Sequence, residues 1–147
     1  MKVIEKTRPG CYGVLIKDNK IALVRKAGGG YAGKLDLPGG GIEYKESPEE
    51  TLVREFKEET GVTLTSFKLL DATSACVYWK IEKDLYEDLH QIGILYVVEA
   101  NDTDLKSDAD GLDSSGASWY NLSELKKEEL TPLTIHALEK LNYKLID

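Results

Sequence analysis

The sequence predicts one mixed domain of the α/β or α+β class that covers residues 1–147. Strand-like runs outnumber helical ones, and an amphipathic helix is inserted between them, which is typical of a domain that packs helices on a sheet. The length allows one core that buries about two thirds of the surface of the unfolded chain. Hydrophobic residues form 41% of the chain and charged residues 31%, as in globular proteins, so we expect no disordered arm.

The first part of the chain predicts a β-hairpin followed by a glycine-rich loop. Two strand-like runs, 12–17 and 20–25, are separated by Asp18 and Asn19, which are residue types that favour a tight turn. Residues 28–41 are then rich in glycine. That density indicates a loop in which backbone segments approach each other closely.

The next segment predicts a helix that begins after Ser47 and ends before Gly61. Ser47 is a good N-cap, Pro48 suits the first helical position, and Glu50 completes a capping box. Gly61 suits a left-handed C-terminal cap. An apolar stripe on this helix is expected to face the core, and it consists of Leu52, Val53 and Phe56.

The second half of the chain predicts several strands and a final helix. Its apolar runs are bounded by polar stretches, as strands separated by loops are. The predicted strands are 62–70, 72–81, 91–100 and 117–122. The polar segment 82–90 is expected to connect the second and third of these strands, 101–116 to form an acidic loop, and 132–144 to form an amphipathic helix.

The overall charge and the absence of targeting signals limit the kinds of partner. A net charge of -7 at pH 7 disfavours binding to a nucleic-acid backbone, which depends on Lys and Arg. The sequence contains no apolar signal core and no run of 18 apolar residues, so we expect a cytoplasmic protein without a membrane span. Cys11 and Cys76 lie in apolar strand-like runs and are predicted to be buried free thiols.

The predicted helix carries three acidic residues, Glu55, Glu58 and Glu59, on one face near its C-terminus. Like charges at this spacing repel by about 0.2–0.5 kcal/mol per pair, and the negative end of the helix dipole adds to that cost. An acidic run on a helix is commonly a solvated face. Next to a glycine-rich turn, however, carboxylates also suit Mg²⁺, which prefers oxygen ligands and keeps waters and substrate phosphates in its shell.

The segment 40–62 resembles the Nudix box, the signature of the Nudix hydrolases. Chance agreement at seven fixed positions is on the order of one in a million for a chain of this length. Two positions depart from the usual pattern: Phe56 stands where the family usually has Leu, Ile or Val, and Leu35 stands where relatives often have Trp. The resemblance implies an α/β/α sandwich around a mixed β-sheet. The matching positions are Gly40, Glu46, Arg54, Glu55, Glu58, Glu59 and Gly61.

The resemblance also implies a role for each matching side chain. Glu58 and Glu59 would be metal ligands, and Glu55 a ligand or the general base. Gly39 would be a ligand through its backbone carbonyl, and Arg54 would orient the glutamates. The implied metal is Mg²⁺, with Mn²⁺ as an alternative. Glu46 would be a supporting carboxylate, or else an exposed residue ahead of the N-cap.

The implied reaction is hydrolysis of the pyrophosphate linkage in a nucleoside diphosphate linked to another group, X. Water would attack a phosphorus atom while metal ions polarise the phosphoryl oxygens. Nucleoside triphosphates and nucleotide sugars are the leading small-molecule substrates. The alternatives are a dinucleoside polyphosphate hydrolase and a non-catalytic module that senses a nucleotide, whereas the acidic charge and short length disfavour RNA decapping. Dimers are common among relatives, so a homodimer is compatible with the resemblance.

Further candidate residues lie outside the box. Arg25 ends a strand and is predicted either to reach a substrate phosphate or to be an exposed charge. Tyr78 lies where a tyrosine marks dinucleoside polyphosphate hydrolases, although aromatic packing is the alternative, and Trp79 should face the other side of the sheet. Asp113 or Asp110 in the acidic loop is a candidate for a further metal ligand.

Overall fold

The computed structural model describes residues 1–106 and 114–147 of the chain. These residues form eight strands and two α-helices, with two short 3-10 turns at Leu122–Glu124 and Lys127–Glu129. The strands are β1 (Lys2–Val14), β2 (Ile16–Lys17), β3 (Lys20–Lys26), β4 (Leu35–Asp36), β5 (Gly39–Gly41), β6 (Ser66–Glu82), β7 (Leu85–Glu99) and β8 (Ser114–Asn121); the helices are α1 (Pro48–Thr60) and α2 (Pro132–Lys140).

The strands form two sheets, one of them mixed. The central sheet has the order β5-β1-β7-β6, in which β1 pairs with β7 in parallel and the other neighbours are antiparallel. The second sheet contains β2, β3 and β4, and β8 pairs with the free side of β3. The predicted mixed sheet is therefore confirmed.

The two helices lie on opposite faces of the sheets. Successive side chains of a strand point to opposite faces, and β1 shows this at two neighbouring residues. Cys11 belongs to the apolar cluster that contains Leu52 and Phe56 of α1. Tyr12 belongs to the cluster that contains Leu133 of α2. The predicted α/β/α sandwich is thus confirmed.

The first hairpin forms as predicted, and the second is longer than predicted. Asp18 and Asn19 both have positive φ, 53° and 62°, as a tight two-residue hairpin turn requires. The predicted strands 62–70 and 72–81 are instead one strand, β6, and the predicted connection 82–90 is wrong except for its first residues. Most of that segment belongs to β7, which pairs with β6 up to a turn at 83–84. Polar residues are tolerated there because no helix covers this end of the sheet.

The ends of α1 are those that the sequence predicts. The Glu50 amide donates to Ser47 Oγ at 3.2 Å, and the Ser47 amide donates to Glu50 Oε1 at 3.0 Å, which completes the capping box. Gly61 has φ 80° and its amide donates to the Lys57 carbonyl oxygen at 2.9 Å. Leu52 and Phe56 are fully buried, so the Phe in place of the usual aliphatic residue is accommodated in the core.

The cysteines differ from each other in exposure. Cys11 is fully buried, as predicted, but Cys76 is exposed, so the prediction for Cys76 is wrong. Cys76 lies in β6, the outermost strand of the central sheet, on the same face as Ile94 but beyond the part of that face on which α1 packs. The described part of the chain contains no helix with the length and apolar character that crossing a membrane requires.

Candidate functional site

The turn formed by Gly39 and Gly40 is the structural centre of the candidate site. Gly39 has φ 151°, and a Cβ atom at this position would collide with the carbonyl oxygen of Cys11, so only glycine fits. The Gly39 amide donates a hydrogen bond to Glu59 Oε1 at 2.8 Å. Glu59 is only 6% exposed. The last turn of α1 is thereby fastened to β5.

The three glutamates of α1 lie in different environments. The Glu55 carboxyl group packs on Gly40, because a Cβ atom there would lie 2.5 Å from Glu55 Cδ and 2.6 and 2.8 Å from its oxygens. The Glu55 side chain is 20% exposed and that of Glu58 57% exposed. Burial therefore increases from Glu58 through Glu55 to Glu59, and the two more buried carboxylates contact the glycine turn.

Arg54 links these carboxylates to the start of the helix. Its Nε and Nη2 atoms donate to the two oxygens of Glu46 at 2.6 and 2.8 Å. Its Nη1 atom donates to Glu55 Oε1 at 2.9 Å and lies 3.4 Å from both oxygens of Glu58. This geometry supports the predicted orienting role, since one guanidinium group fixes carboxylates on both sides of it.

Glu46 is a structural partner of Arg54 and not an exposed residue ahead of the N-cap. Its side chain is 14% exposed and also accepts a hydrogen bond from Thr51 Oγ1 at 2.6 Å. The hydrogen bonds from Arg54 and then from Thr51 lower the pKa of Glu46 to about 2. The same contact with Glu46 raises the pKa of Arg54 above its usual range, so the guanidinium group stays charged.

The donor atoms beside the turn fit Mg²⁺ in chemical type. Within residues 1–106 and 114–147, no group of three or more His, Cys, Asp or Glu side chains is arranged to hold a metal ion. Mg²⁺ does not need such a cage, because one or two carboxylates with substrate phosphates and waters normally complete its shell. Glu55 and Glu59, both in contact with the glycine turn, match that requirement.

A cavity of about 300 Å³ lies beside the same turn. Its walls are the glycine loop 28–31, the turn residues Gly39 and Gly40, and the inner face of β1, β6 and β7. Arg8 and Lys26 contribute positive charge to the lining, Asp36 and Glu87 contribute negative charge, and Trp79 contributes an aromatic side chain. The cavity thus combines charged groups of both signs, aromatic groups and backbone groups next to the carboxylates of α1.

The other predicted site residues do not line this cavity or lie outside the residues that the structure describes. Arg25 is exposed, and its Nη1 atom donates to the Gly33 carbonyl oxygen at 2.8 Å. Tyr78 is 53% exposed and stacks on Tyr86 with ring centroids 5.2 Å apart, on the sheet face opposite to Trp79. Neither Arg25 nor Tyr78 lines the cavity. The candidates Asp110 and Asp113 lie outside the described residues.

Several lining residues were not predicted from the sequence. Lys26 lines the cavity, whereas its neighbour Arg25 was the predicted phosphate contact. Arg8 and Gln91 also line it, and they lie directly opposite each other in the parallel pair of β1 and β7. This pairing joins residues far apart in the chain, so no local sequence signal identifies it.

Comparisons with known proteins identify the family. A NUDIX domain model matches residues 6–141. An ADP-ribose pyrophosphatase from Methanocaldococcus jannaschii is 35% identical over 115 residues, which cover 78% of this chain and 62% of that protein. An 8-oxo-dGTP diphosphatase from Escherichia coli is 29% identical over 126 residues, which cover 85% of this chain and 88% of that protein. The match therefore spans less than two thirds of the first relative.

A solved structure shows the same fold. A MutT NUDIX hydrolase from Burkholderia pseudomallei aligns with a TM-score of 0.74 and 26% sequence identity. The alignment covers 92% of this chain and 98% of that chain. The shared architecture therefore extends well beyond the segment that carries the glutamates.

Proposed function

The chain belongs to the Nudix family, and from this premise we propose that it hydrolyses the pyrophosphate linkage of a nucleoside diphosphate linked to another group, X. The substrates that we favour are nucleoside triphosphates and nucleotide sugars. One observation carries the proposal: Gly39 and Gly40 contact Glu59 and Glu55 and also line the 300 Å³ cavity. A substrate in that cavity would have its phosphates beside both carboxylates. The two relatives support this choice, since ADP-ribose and 8-oxo-dGTP, the compounds in their names, both contain a nucleoside diphosphate unit.

We propose that Glu55, Glu58 and Glu59, with the carbonyl of Gly39, hold Mg²⁺ or Mn²⁺. When bound, the ion supplies polarisation of a phosphoryl oxygen and a lowered pKa for the attacking water. Arg54 keeps Glu55 in place through the 2.9 Å hydrogen bond. We propose Glu55 as a metal ligand or as the general base.

The positive residues of the cavity are proposed to bind the phosphates. Arg8 Nε lies 2.9 Å from the position of a Cβ atom on Gly41, so its guanidinium group borders the glycine turn. Lys26 lines the same cavity. Asp36 and Glu87 line the same cavity, so the two cations balance these carboxylates and place positive groups where a diphosphate would otherwise meet only negative charge.

The size of the cavity favours one nucleoside over two. A volume of about 300 Å³ is at the lower end of the range for small-molecule sites. A dinucleoside polyphosphate would have to leave its second nucleoside outside. Tyr78, the residue that suggested this alternative, is exposed on the other face of the sheet. We therefore rank the dinucleoside polyphosphate below a mononucleotide.

The experiment that tests the proposal is a panel of nucleotides incubated with the protein and Mg²⁺. The panel contains nucleoside triphosphates, nucleotide sugars, ADP-ribose and a dinucleoside polyphosphate, and products are identified by mass spectrometry. Reaction in ¹⁸O-labelled water shows which phosphorus is attacked. Turnover that stops with a chelator and returns with Mg²⁺ supports the proposal. Nucleotide binding without turnover by folded protein would favour the sensing module instead.

A further inference from the structure

We propose that Gln91 recognises a hydroxyl group of the substrate's ribose, so that the cavity prefers ribonucleotides over deoxyribonucleotides. The inference rests on the proposed function, because it assigns the nucleoside part of the substrate. The two relatives differ in the sugar of the compounds in their names, because ADP-ribose contains a ribonucleotide and 8-oxo-dGTP is a deoxyribonucleotide.

The first observation is an unpaired polar atom. Gln91 lies in β7, is 9% exposed and lines the cavity. Its Nε2 atom donates to Tyr12 Oη at 3.0 Å, which fixes the amide. Its Oε1 atom is buried and has no hydrogen-bond partner within the described ranges. Buried acceptors are nearly always satisfied in folded proteins, so an unpaired one beside a cavity points to a ligand that donates a hydrogen.

A second unpaired atom lies in the same lining. The hydroxyl group of Tyr31, in the glycine loop, is also buried without a partner. Among buried side-chain nitrogen and oxygen atoms of residues 1–106 and 114–147, only these two lack partners. Both belong to one cavity, although chance would place such defects anywhere in the core. The coincidence indicates that the cavity is built for a polar ligand.

The order of residues along the sheet indicates which residue each part of a nucleotide would contact. Gly39 pairs with Tyr12, which pairs with Leu95 at the same level of the sheet. Side chains two residues apart on a strand share a face and are separated by roughly 7 Å. Moving along β7 away from the glycine turn, the cavity-lining residues are Gln91, Leu89 and Glu87.

The far end of this row suits a nucleobase. Trp79 pairs with Glu87 and donates its indole N–H to Glu87 Oε1 at 2.9 Å, which fixes the ring. Gly30 packs on the indole edge, since a Cβ atom there would lie 3.0 Å from Trp79 Cδ1. Trp79 and Leu89 provide the apolar surface that a base needs for stacking.

Phosphate, ribose and base follow one another in a nucleotide, as the glycine turn, Gln91 and Trp79 do along the sheet. Gln91 lies between the other two in this row, as the ribose lies between the phosphate and the base. Tyr12 links the glycine turn to Gln91, because its ring packs on Gly39 while its hydroxyl accepts the hydrogen bond from Gln91. A ribose hydroxyl donates a hydrogen to the unpaired Gln91 oxygen, and a deoxyribose lacking that hydroxyl leaves the oxygen unsatisfied.

The test measures binding without turnover. AMP, 2′-deoxy-AMP and 3′-deoxy-AMP are titrated in the absence of metal by calorimetry, with GMP and UMP series in case the base matters. We expect the wild-type protein to bind the ribonucleotide at least about tenfold more tightly than one of the two deoxy forms. The form that loses affinity identifies the hydroxyl. Equal affinities for all three forms in every series would overturn the inference.

Variants then assign the preference to Gln91. Gln91→Met is expected to lower affinity for the ribonucleotide to that of the deoxynucleotide, while Gln91→Glu, which keeps an acceptor oxygen, retains the preference. A preference that survives in Gln91→Met overturns the assignment. Tyr31→Phe should weaken binding, and Tyr78→Phe, the same deletion on the other sheet face, is its matched control. If Gln91→Met does not fold, the inference is tested by the ratio of ribonucleotide to deoxynucleotide affinity in the wild-type protein and in Gln91→Glu.

The two proposals fail in different ways. A ribose preference without turnover of any nucleotide contradicts the proposed hydrolysis and leaves the ribose assignment standing. Turnover with equal kcat/KM for ribonucleotides and deoxyribonucleotides contradicts the ribose assignment and leaves the proposed hydrolysis standing.

Discussion

The backbone amide of Gly39 donates a hydrogen bond of 2.8 Å to Glu59, twenty residues later in the chain. The bond joins β5, at the edge of the central sheet, to the last turn of α1. It also keeps a carboxylate that is 6% exposed next to the cavity. A charge-assisted hydrogen bond offsets part of the cost of burying that carboxylate. The bond therefore fixes the position of the glycine turn relative to the acidic end of α1.

Substitution of the two turn glycines is expected to separate folding from activity. In Gly40→Ala the three atoms nearest to the new Cβ atom all belong to the flexible end of Glu55, so the free energy of unfolding should change by less than about 1 kcal/mol while kcat falls. In Gly39→Ala the new atom meets the backbone of Cys11 and Tyr12, so the protein itself should be destabilised. Thermal melts and kinetics on both variants check this, and an active Gly40→Ala would contradict the placement of Glu55.

Glu58→Gln is expected to lower activity by several orders of magnitude without destabilising the protein. The substitution removes a charge from the proposed metal site and relieves repulsion from the neighbouring glutamates. Because the side chain is 57% exposed, its loss should leave the melting temperature unchanged or slightly raised. Kinetics at several Mg²⁺ concentrations and melts without metal measure the two effects. Glu49→Gln, in the exposed first turn of α1, is the control.

The bond between Glu46 and Arg54 is expected to make stability depend on acid pH. The pKa of Glu46 is lowered to about 2 in the folded protein from its usual value near 4.5. A lowered pKa adds stability above the unfolded value, and this contribution is lost as the pH falls from about 4.5 towards 2. Melting temperatures of Glu46→Gln should therefore fall less steeply than those of wild type in this range. Parallel curves would show that the bond contributes nothing.

The two thiols are expected to react at very different rates. Burial raises the pKa of Cys11 to about 11, and its side chain is fully buried, so little thiolate is available at pH 8. Cys76 is exposed. A thiol reagent should label one cysteine in the native protein and both in denaturant, with the native label mapped to Cys76 by mass spectrometry. Labelling should leave nucleotide affinity unchanged, because Cys76 lies on the sheet face away from Trp79. Native labelling of Cys11 would contradict its burial.

The two phenylalanines of the chain make a matched pair for core packing. Phe56 is fully buried, and its ring lies 2.9 Å from the position of a Cβ atom on Gly13. Phe56→Ala should cost about 3–5 kcal/mol of unfolding free energy. Phe67 is 41% exposed, so Phe67→Ala should cost much less. Chemical denaturation measures both, and equal losses would mean that Phe56 does not anchor α1.

Local features of the sequence predicted α1 and the first hairpin correctly. The Ser47 cap, the Gly61 cap and the turn at Asp18 and Asn19 each depend on residues a few positions apart. The β6–β7 hairpin was predicted with the wrong boundaries, because polar residues in a strand are acceptable wherever the sheet face is open to water. The apolar run around Cys76 predicts that this residue is buried, but its part of the sheet face is open to water.

The spacing of Gly40, Glu46, Arg54 and the glutamates was sufficient to predict the helix, its acidic face and the family. Helix geometry and capping are local, so these features follow from residues within one segment. The cavity was not predictable in this way: Arg8, Lys26, Trp79 and Gln91 come from four strands, and Arg8 faces Gln91 only through the parallel pairing of β1 with β7. Long-range pairing and burial also left the Gln91 oxygen without a partner. The sequence therefore determines the family, whereas the proposed nucleoside preference depends on contacts that only the folded sheet creates.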